Sequence, residues 1–148
     1  MALLDGWLDA GWPVTRILAE VVVPAQHEAG RRWQRGDWSI SREHTVSSVI
    51  DTLVGVLGLR VSYDRATAPG APVLVVCAEG EWHTLVARVI AEGLRAEGVP
   101  VHLLGGSVPA RDLAAEAEDA GCSAAIVCCA VPMHLPGAQR SVAALREA

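Results

Sequence analysis

The feature that most constrains this chain is a change of apolar rhythm across residues 66–72. Before that point apolar residues recur at helical spacing. After it, short unbroken apolar runs alternate with helical stretches. Ala66 to Pro72 is built from Ala, Thr, Pro and Gly and reads as a linker. The chain is therefore expected to form two parts, a helical domain over residues 1–65 and an α/β domain over residues 71–148.

In the first part, Ala2 to Ala10 predicts a short helix, stopped by Gly11 and Pro13. Val14 to Arg35 carries Leu18, Val22, Ala25, Ala29 and Trp33 on one helical stripe, and Pro24 should kink or split that helix. Gly36 and Asp37 end it, and Ser39 or Ser41 can cap the next. That helix presents Val46, Val49, Ile50, Leu53, Val54 and Leu57 as a wide stripe. The result is a small bundle, or three helices plus a fragment.

In the second part, Val73–Ala78, Val101–Leu104 and Ala124–Ala130 read as strands, the first and third fully buried. Thr84–Glu97, Ala110–Ala120 and Ala138–Glu147 read as helices. Alternation of this kind predicts a parallel sheet with right-handed crossovers. The class is α/β overall: an N-terminal helical bundle, then a Rossmann-like, flavodoxin-like parallel domain that looks truncated after its third strand, since doubly wound sheets usually have five or six. Something else completes the sheet, or the sequence is a fragment of a longer protein.

Composition narrows the function. Apolar residues make up 51%, enough for a true core. The net charge of −5 argues against nucleic-acid binding by this chain alone. Arg31, Arg32 and Arg35 cluster, but acids surround them. No run of about 18 apolar residues predicts a membrane span. The acidic start, Met1 to Asp9, is unlike a secretory signal, so a cytoplasmic location is expected. Cys77, Cys122, Cys128 and Cys129 show no zinc spacing and read as reduced thiols. No nucleophile triad, phosphate loop or paired catalytic carboxylates is apparent, so no independent enzymatic role is expected.

Two clusters carry chemistry. Cys77-Ala-Glu-Gly-Glu-Trp-His83 follows the first strand, at the sheet end where open parallel sheets bind ligands. Glu81 and His83 are close enough for the carboxylate to orient the imidazole through its second nitrogen, as around metal-bound histidines. In the helical part, Trp33 is followed after nine residues by Glu43-His44. Glu43 falls on the apolar stripe, where a carboxylate is costly unless paired or beside a ligand, and His44 falls at its edge. Alone, the His83 loop reads more often as a helix N-terminal or surface site than a ligand, and Glu43-His44 more often as a helix-start pair.

Together they resemble a known family. Val23-Pro-Ala…Glu28-Ala-Gly…Trp33-Gln-Arg-Gly-Asp-Trp-Ser-Ile-Ser-Arg-Glu43-His44 looks like the helical cap of cobalamin-binding proteins. Glu81-Trp-His83-Thr-Leu-Val86 is similar to that family's Asp/Glu-x-His-x-x-Gly motif, and Gly98 to Leu113 also follows its pattern. Within the family the resemblance is nearest to light-dependent MerR-type transcriptional repressors.

The resemblance implies roles residue by residue. His83 ligates cobalt from below and Glu81 holds its tautomer. Trp33 and Ile40 line the upper face, Glu43 contacts an adenosyl group, and His44 captures cobalt after photolysis. The Ser that touches the nucleotide tail falls here on Cys128 or Cys129. Val86 stands where the family has Gly, so the following helix is expected slightly further from the corrin. The Gly-Gly tail cradle after a later strand and the DNA-binding helix-turn-helix are missing, so weakened affinity is expected. The implied cofactor is adenosylcobalamin with its cobalt, and the implied partner is a second copy or a regulatory protein. The alternative is a corrinoid carrier of a methyltransferase system.

Overall fold

A computed structural model describes residues 2–65 and 70–147. The chain divides into two compact units, Met1–Asp64 and Arg65–Ala148. Residues 66–69 of the expected linker lie outside the described residues.

The first unit is helical: α1 (Ala2–Asp9), α2 (Val14–Ile17), a π-helical turn (Leu18–Val22), α3 (Val23–Gln34) and α4 (Ile40–Arg65). Pro24 is expected to kink or split the long helix; the backbone stays helical through it, with a π segment just before it. Ile17, Leu18, Val22 and Val23 all keep right-handed helical dihedrals. The π turn stands immediately before the proline. Proline lacks an N–H and crowds the carbonyl four residues earlier, and a wider turn relieves both. The extra residue in that turn shifts the inward stripe: Leu18, Val22 and Ala29 are buried, but Ala25 is exposed and Gln26 takes its place.

Helix α3 ends in a left-handed Gly36 (φ 78°). The Asp37 N–H reaches the Arg32 carbonyl at 2.9 Å and the Gly36 N–H reaches Trp33 at 2.9 Å, the paired closure that left-handed glycine permits. Trp38 sits between the Arg32 and Arg42 guanidiniums, 5.1 and 5.0 Å from its ring centre. Ser39 caps α4, accepting the Arg42 N–H on Oγ at 3.2 Å. The buried stripe of α4 runs through Ile50, Val54 and Leu57; Val49, expected on it, is exposed.

The second unit is α/β: β1 (Val73–Cys77), α5 (Leu85–Ala96), β2 (Val101–Gly105), α6 (Ala110–Asp119), β3 (Ala124–Cys128), a 3₁₀ turn (Pro132–His134) and α7 (Leu135–Glu147). The strands form a parallel sheet in the order β2-β1-β3. That order sends the first crossover one way and the second back across β1. Right-handed connections then place α5 on one face and α6 on the other. On the α5 face, Val75, Cys77, Ala87 and Cys128 form a buried cluster, flanked by Val73, Ile90, Leu94, Val101, Leu103 and Ile126. Leu74 and Val76 alternate to the opposite face and are also fully buried. The expected parallel α/β class therefore holds.

Two expectations need correction. β3 is not a fully buried strand: Ala124 and Ala125 are exposed, because β3 lies at the sheet edge among the described residues. The last helix starts at Leu135 rather than Ala138. Pro136 is tolerated there, because a first-turn residue needs no amide hydrogen.

Candidate functional site

The C-terminal end of β1 opens into the loop 78–84. The loop turns at a left-handed Gly80 (φ 88°). Its Glu81 is fully buried, and every atom of its carboxylate is engaged. Oε1 accepts the His83 backbone N–H at 2.9 Å and lies 2.5 Å from His83 Nδ1. Oε2 accepts the Ala130 and Val131 N–H groups at 2.8 and 3.0 Å and lies 3.1 Å from His134 Nδ1.

Burial by itself pushes this carboxyl up. The hydrogen bonds from His83, His134 and Ala130 outweigh it and hold the pKa at about 2. Glu81 is thus a carboxylate at neutral pH, and a carboxylate only accepts. Nδ1 of His83 must then carry a hydrogen, and in the neutral ring that leaves Nε2 as a lone pair. The His83 side chain is 67% exposed, so that lone pair is accessible.

Neighbouring elements brace the loop. The Ser107 N–H donates to the Glu81 carbonyl at 2.9 Å, and Ser107 Oγ accepts the Gly80 N–H at 3.1 Å. Ser107 is held at φ 51°, a left-handed conformation that costs a non-glycine roughly 1–2 kcal/mol and that these two bonds offset. The Cys77 thiol, 3.9 Å from the His83 carbonyl, completes the strand end. Burial, with Cys128 and Glu81 nearby, pushes that thiol up to about 11.

The remaining expected site residues separate clearly. Val86 is partly exposed at the start of α5. Cys128 is buried against Val75, Cys77 and Ala87 and faces the core. Cys129 is half-buried, with Sγ 3.3 Å from the Val131 carbonyl.

In the first unit, Glu43 is largely buried. Its Oε1 accepts Ser47 Oγ at 2.5 Å and Gln26 Nε2 at 3.4 Å; its Oε2 lies 2.7 Å from His44 Nδ1. The Ser47 hydrogen bond, helped by His44 and Gln26, holds this carboxyl below its ordinary value against the effect of burial. His44 is 71% exposed, and like His83 it has Nδ1 against a carboxylate. Trp33 does not join the buried stripe: it is 47% exposed, and Ile40 is exposed too. Sequence reading missed Gln26, Ser47, Ser107 and His134. The only signal for Gln26 was Pro24, whose local π turn moves the helical phase.

Among the described residues no group of three or more His, Cys, Asp or Glu side chains could hold an ion. A single neutral imidazole with its second nitrogen fixed is instead a good axial ligand. Trp82, Val86, Met133 and Leu135 expose apolar surface in the segments that follow β1 and β3.

The family comparison agrees. The B12 binding domain family matches residues 71–148, more than half of the chain, and a second B12 binding domain family matches residues 1–57. The chain belongs to the B12 binding domain family. Cobalamin is the ligand that this membership implies. The HTH-type transcriptional repressor CarH of Myxococcus xanthus is 32% identical over 106 residues, 70% of this B12 binding domain chain and 33% of that protein. An uncharacterized 20.5 kDa protein in the bchF-crtJ intergenic region of Rhodobacter capsulatus is 29% identical over 103 residues, 69% of this chain and 54% of that protein. The B12 binding domain chain thus spans a third to about half the length of these relatives. No helix among its described residues is long and apolar enough to cross a membrane.

Proposed function

We propose that this chain is a regulatory cobalamin-binding module, without enzymatic activity of its own, that takes adenosylcobalamin and responds to light. The observation that carries this reading is the second prepared imidazole. His44, like His83, has Nδ1 against a carboxylate and a largely exposed side chain. A module that only held cobalamin needs one such group. The similarity to a transcriptional repressor supports a regulatory role.

When bound, adenosylcobalamin supplies a light-labile cobalt–carbon bond. His83 would hold the cobalt, and Glu81, against Nδ1, would keep the proton on that nitrogen. Trp33 and Ile40 would offer exposed apolar surface to the adenosyl group, and Glu43, fixed by Ser47 and Gln26, would accept a hydrogen bond from it. His44, whose Nδ1 lies against Glu43, would be a second imidazole available to the cofactor once light has broken that bond. The readout is a change in self-association or in a protein contact.

Absorbance and size-exclusion runs on the adenosylcobalamin complex, in darkness and after green light, test this. The reading predicts a spectrum typical of two axial imidazoles and a changed elution volume after illumination. His44→Ala should lose the first while the dark spectrum stays as it was. Identical spectrum and mass in both conditions would remove photosensing and favour the methyl-carrier alternative.

A further inference from the structure

In the first unit, the inward stripes of α3 and α4 turn polar where the two helices meet. Leu18 and Val22 are buried, and the next place on their line, four residues on, holds Gln26 rather than an apolar side chain. The π turn before Pro24 supplies the phase that places it there. On α4 the buried line of Val54 and Ile50 runs back to Ser47 and Glu43. Inward positions given to an amide, a hydroxyl and a carboxylate cost stability unless each group is paired. These three pair with one another: Gln26 Nε2 donates to Ser47 Oγ at 2.8 Å and to Glu43 Oε1 at 3.4 Å.

The charge on Glu43 gives the cluster a direction. Ser47 has one hydrogen and two acceptors in reach, Glu43 Oε1 at 2.5 Å and Gln26 Oε1 at 3.2 Å. The nearer, ionised oxygen takes it. A Gln26 amide turned over would set its own oxygen against that carboxylate, so the NH2 end stays there. His44 Nδ1 stands 2.7 Å from the other oxygen, Oε2. A carboxylate has about four lone-pair sites. Ser47 and Gln26 fill those of Oε1, and His44 takes one on Oε2. What stays open is one acceptor site, on the oxygen that His44 shares.

We infer that Gln26 is a positioning residue that sets which upper ligand the chain prefers: with Ser47 it fills Oε1 of Glu43 and leaves Oε2 as the single acceptor for a ligand hydroxyl. This rests on the reading of Glu43 as the contact to the adenosyl group. The ribose of an adenosyl group brings O–H donors; a methyl group brings none. Without the Gln26 donor, Oε1 keeps only Ser47, and the carboxylate is free to turn. The advantage of a hydroxyl-bearing upper ligand then falls, while a methyl-bearing cobalamin loses nothing.

The test uses the full chain as wild type and as Gln26→Met, a side chain of similar length with no donor. Crystals of the cobalamin-free proteins read the Glu43 carboxylate directly, and thermal melting checks the fold. Equilibrium dialysis in darkness reads the affinities for adenosylcobalamin and methylcobalamin. The expected result in Gln26→Met is a Glu43 carboxylate turned from its wild-type place, with a melting temperature at or above wild type, since methionine continues the apolar stripe. Affinity for adenosylcobalamin should fall roughly tenfold, the worth of one hydrogen bond to a charged acceptor, and affinity for methylcobalamin should stay the same. A Glu43 carboxylate that keeps its wild-type place, or an equal fall for both cobalamins, overturns the inference. Wild type with no preference for adenosylcobalamin overturns instead the assignment of Glu43 to the adenosyl group.

Discussion

Replacing Glu81 with Gln removes one charge and almost no volume, so its effect isolates what the buried carboxylate does. An amide has one acceptor oxygen and one donating NH2 group. If the oxygen faces Ala130, Val131 and His134, the NH2 group faces the His83 backbone N–H across 2.9 Å, donor against donor. If it flips, two backbone N–H groups are orphaned instead. The first arrangement costs less: one unpaired buried donor, about 1–3 kcal/mol, plus weakening of bonds that a charge had strengthened. Relief from burying a charge offsets part of this. The carboxyl's fall from 4.5 to about 2 corresponds, at 1.36 kcal/mol per unit, to a net balance on the order of 3 kcal/mol in favour of the charged form. The variant should therefore destabilise the second unit by about 3 kcal/mol. It should also turn His83, whose Nδ1 now faces a donor, to the tautomer with hydrogen on Nε2, and so abolish cobalt ligation even in molecules that stay folded. Native-state amide exchange reads both: Val75 and Val76 report the global opening energy, Ala130 and Val131 the local one. A variant within about 0.5 kcal/mol of wild type, with His83 unchanged, would refute the reasoning.

Further outcomes follow from the same contacts. The folded Glu81 pKa lies below its ordinary value, so the unfolded chain binds more protons in acid. Its contribution is complete above about pH 4.5 and is lost as pH falls toward 2, which exchange-monitored acid titration of β1 should show and Glu81→Gln should not. Gly137→Ala gains about 1 kcal/mol of helix propensity yet pushes a methyl into the Glu79 carbonyl, so thermal melting should show net destabilisation of roughly 1–2 kcal/mol and shifted Gly80 amide signals. Cys77 and Cys128, buried and with raised pKa values, should resist thiol reagents at pH 8 until the second unit unfolds, while half-buried Cys129 reacts first. Trp33→Ala should change the stability of the cobalamin-free first unit by no more than about 0.5 kcal/mol, because the ring is half exposed; a larger loss in urea unfolding would mean it is core.

Much of the fold was legible because its signals are local. The unbroken Val73–Cys77 run could only be a buried strand, and its alternation with helical stretches sufficed for a parallel sheet. The Glu81–His83 contact spans two residues, so spacing alone put it within reach. What escaped depends on contacts far apart in sequence. The π turn before Pro24 rotated the stripe by one residue, which exposed Ala25 and turned Gln26 toward Glu43. Apolar composition cannot distinguish an edge strand from a central one, so β3 was taken for core. Pro136-Gly137 reads as a helix breaker, yet the proline sits in the first turn and the glycine is kept for close packing on Glu79. His134 had no neighbour in sequence to mark it; its partner is Glu81, 53 residues earlier.

The account turns on which nitrogen reaches cobalt. Electron paramagnetic resonance of the reduced, Co(II) form, on protein labelled with nitrogen-15 at histidine only, reads this directly. Ligation by His83 predicts that the nitrogen splitting changes from a triplet to a doublet on labelling, and that His83→Ala erases the effect. A triplet that survives the label would mean that the vitamin's own base, and no protein imidazole, holds the metal.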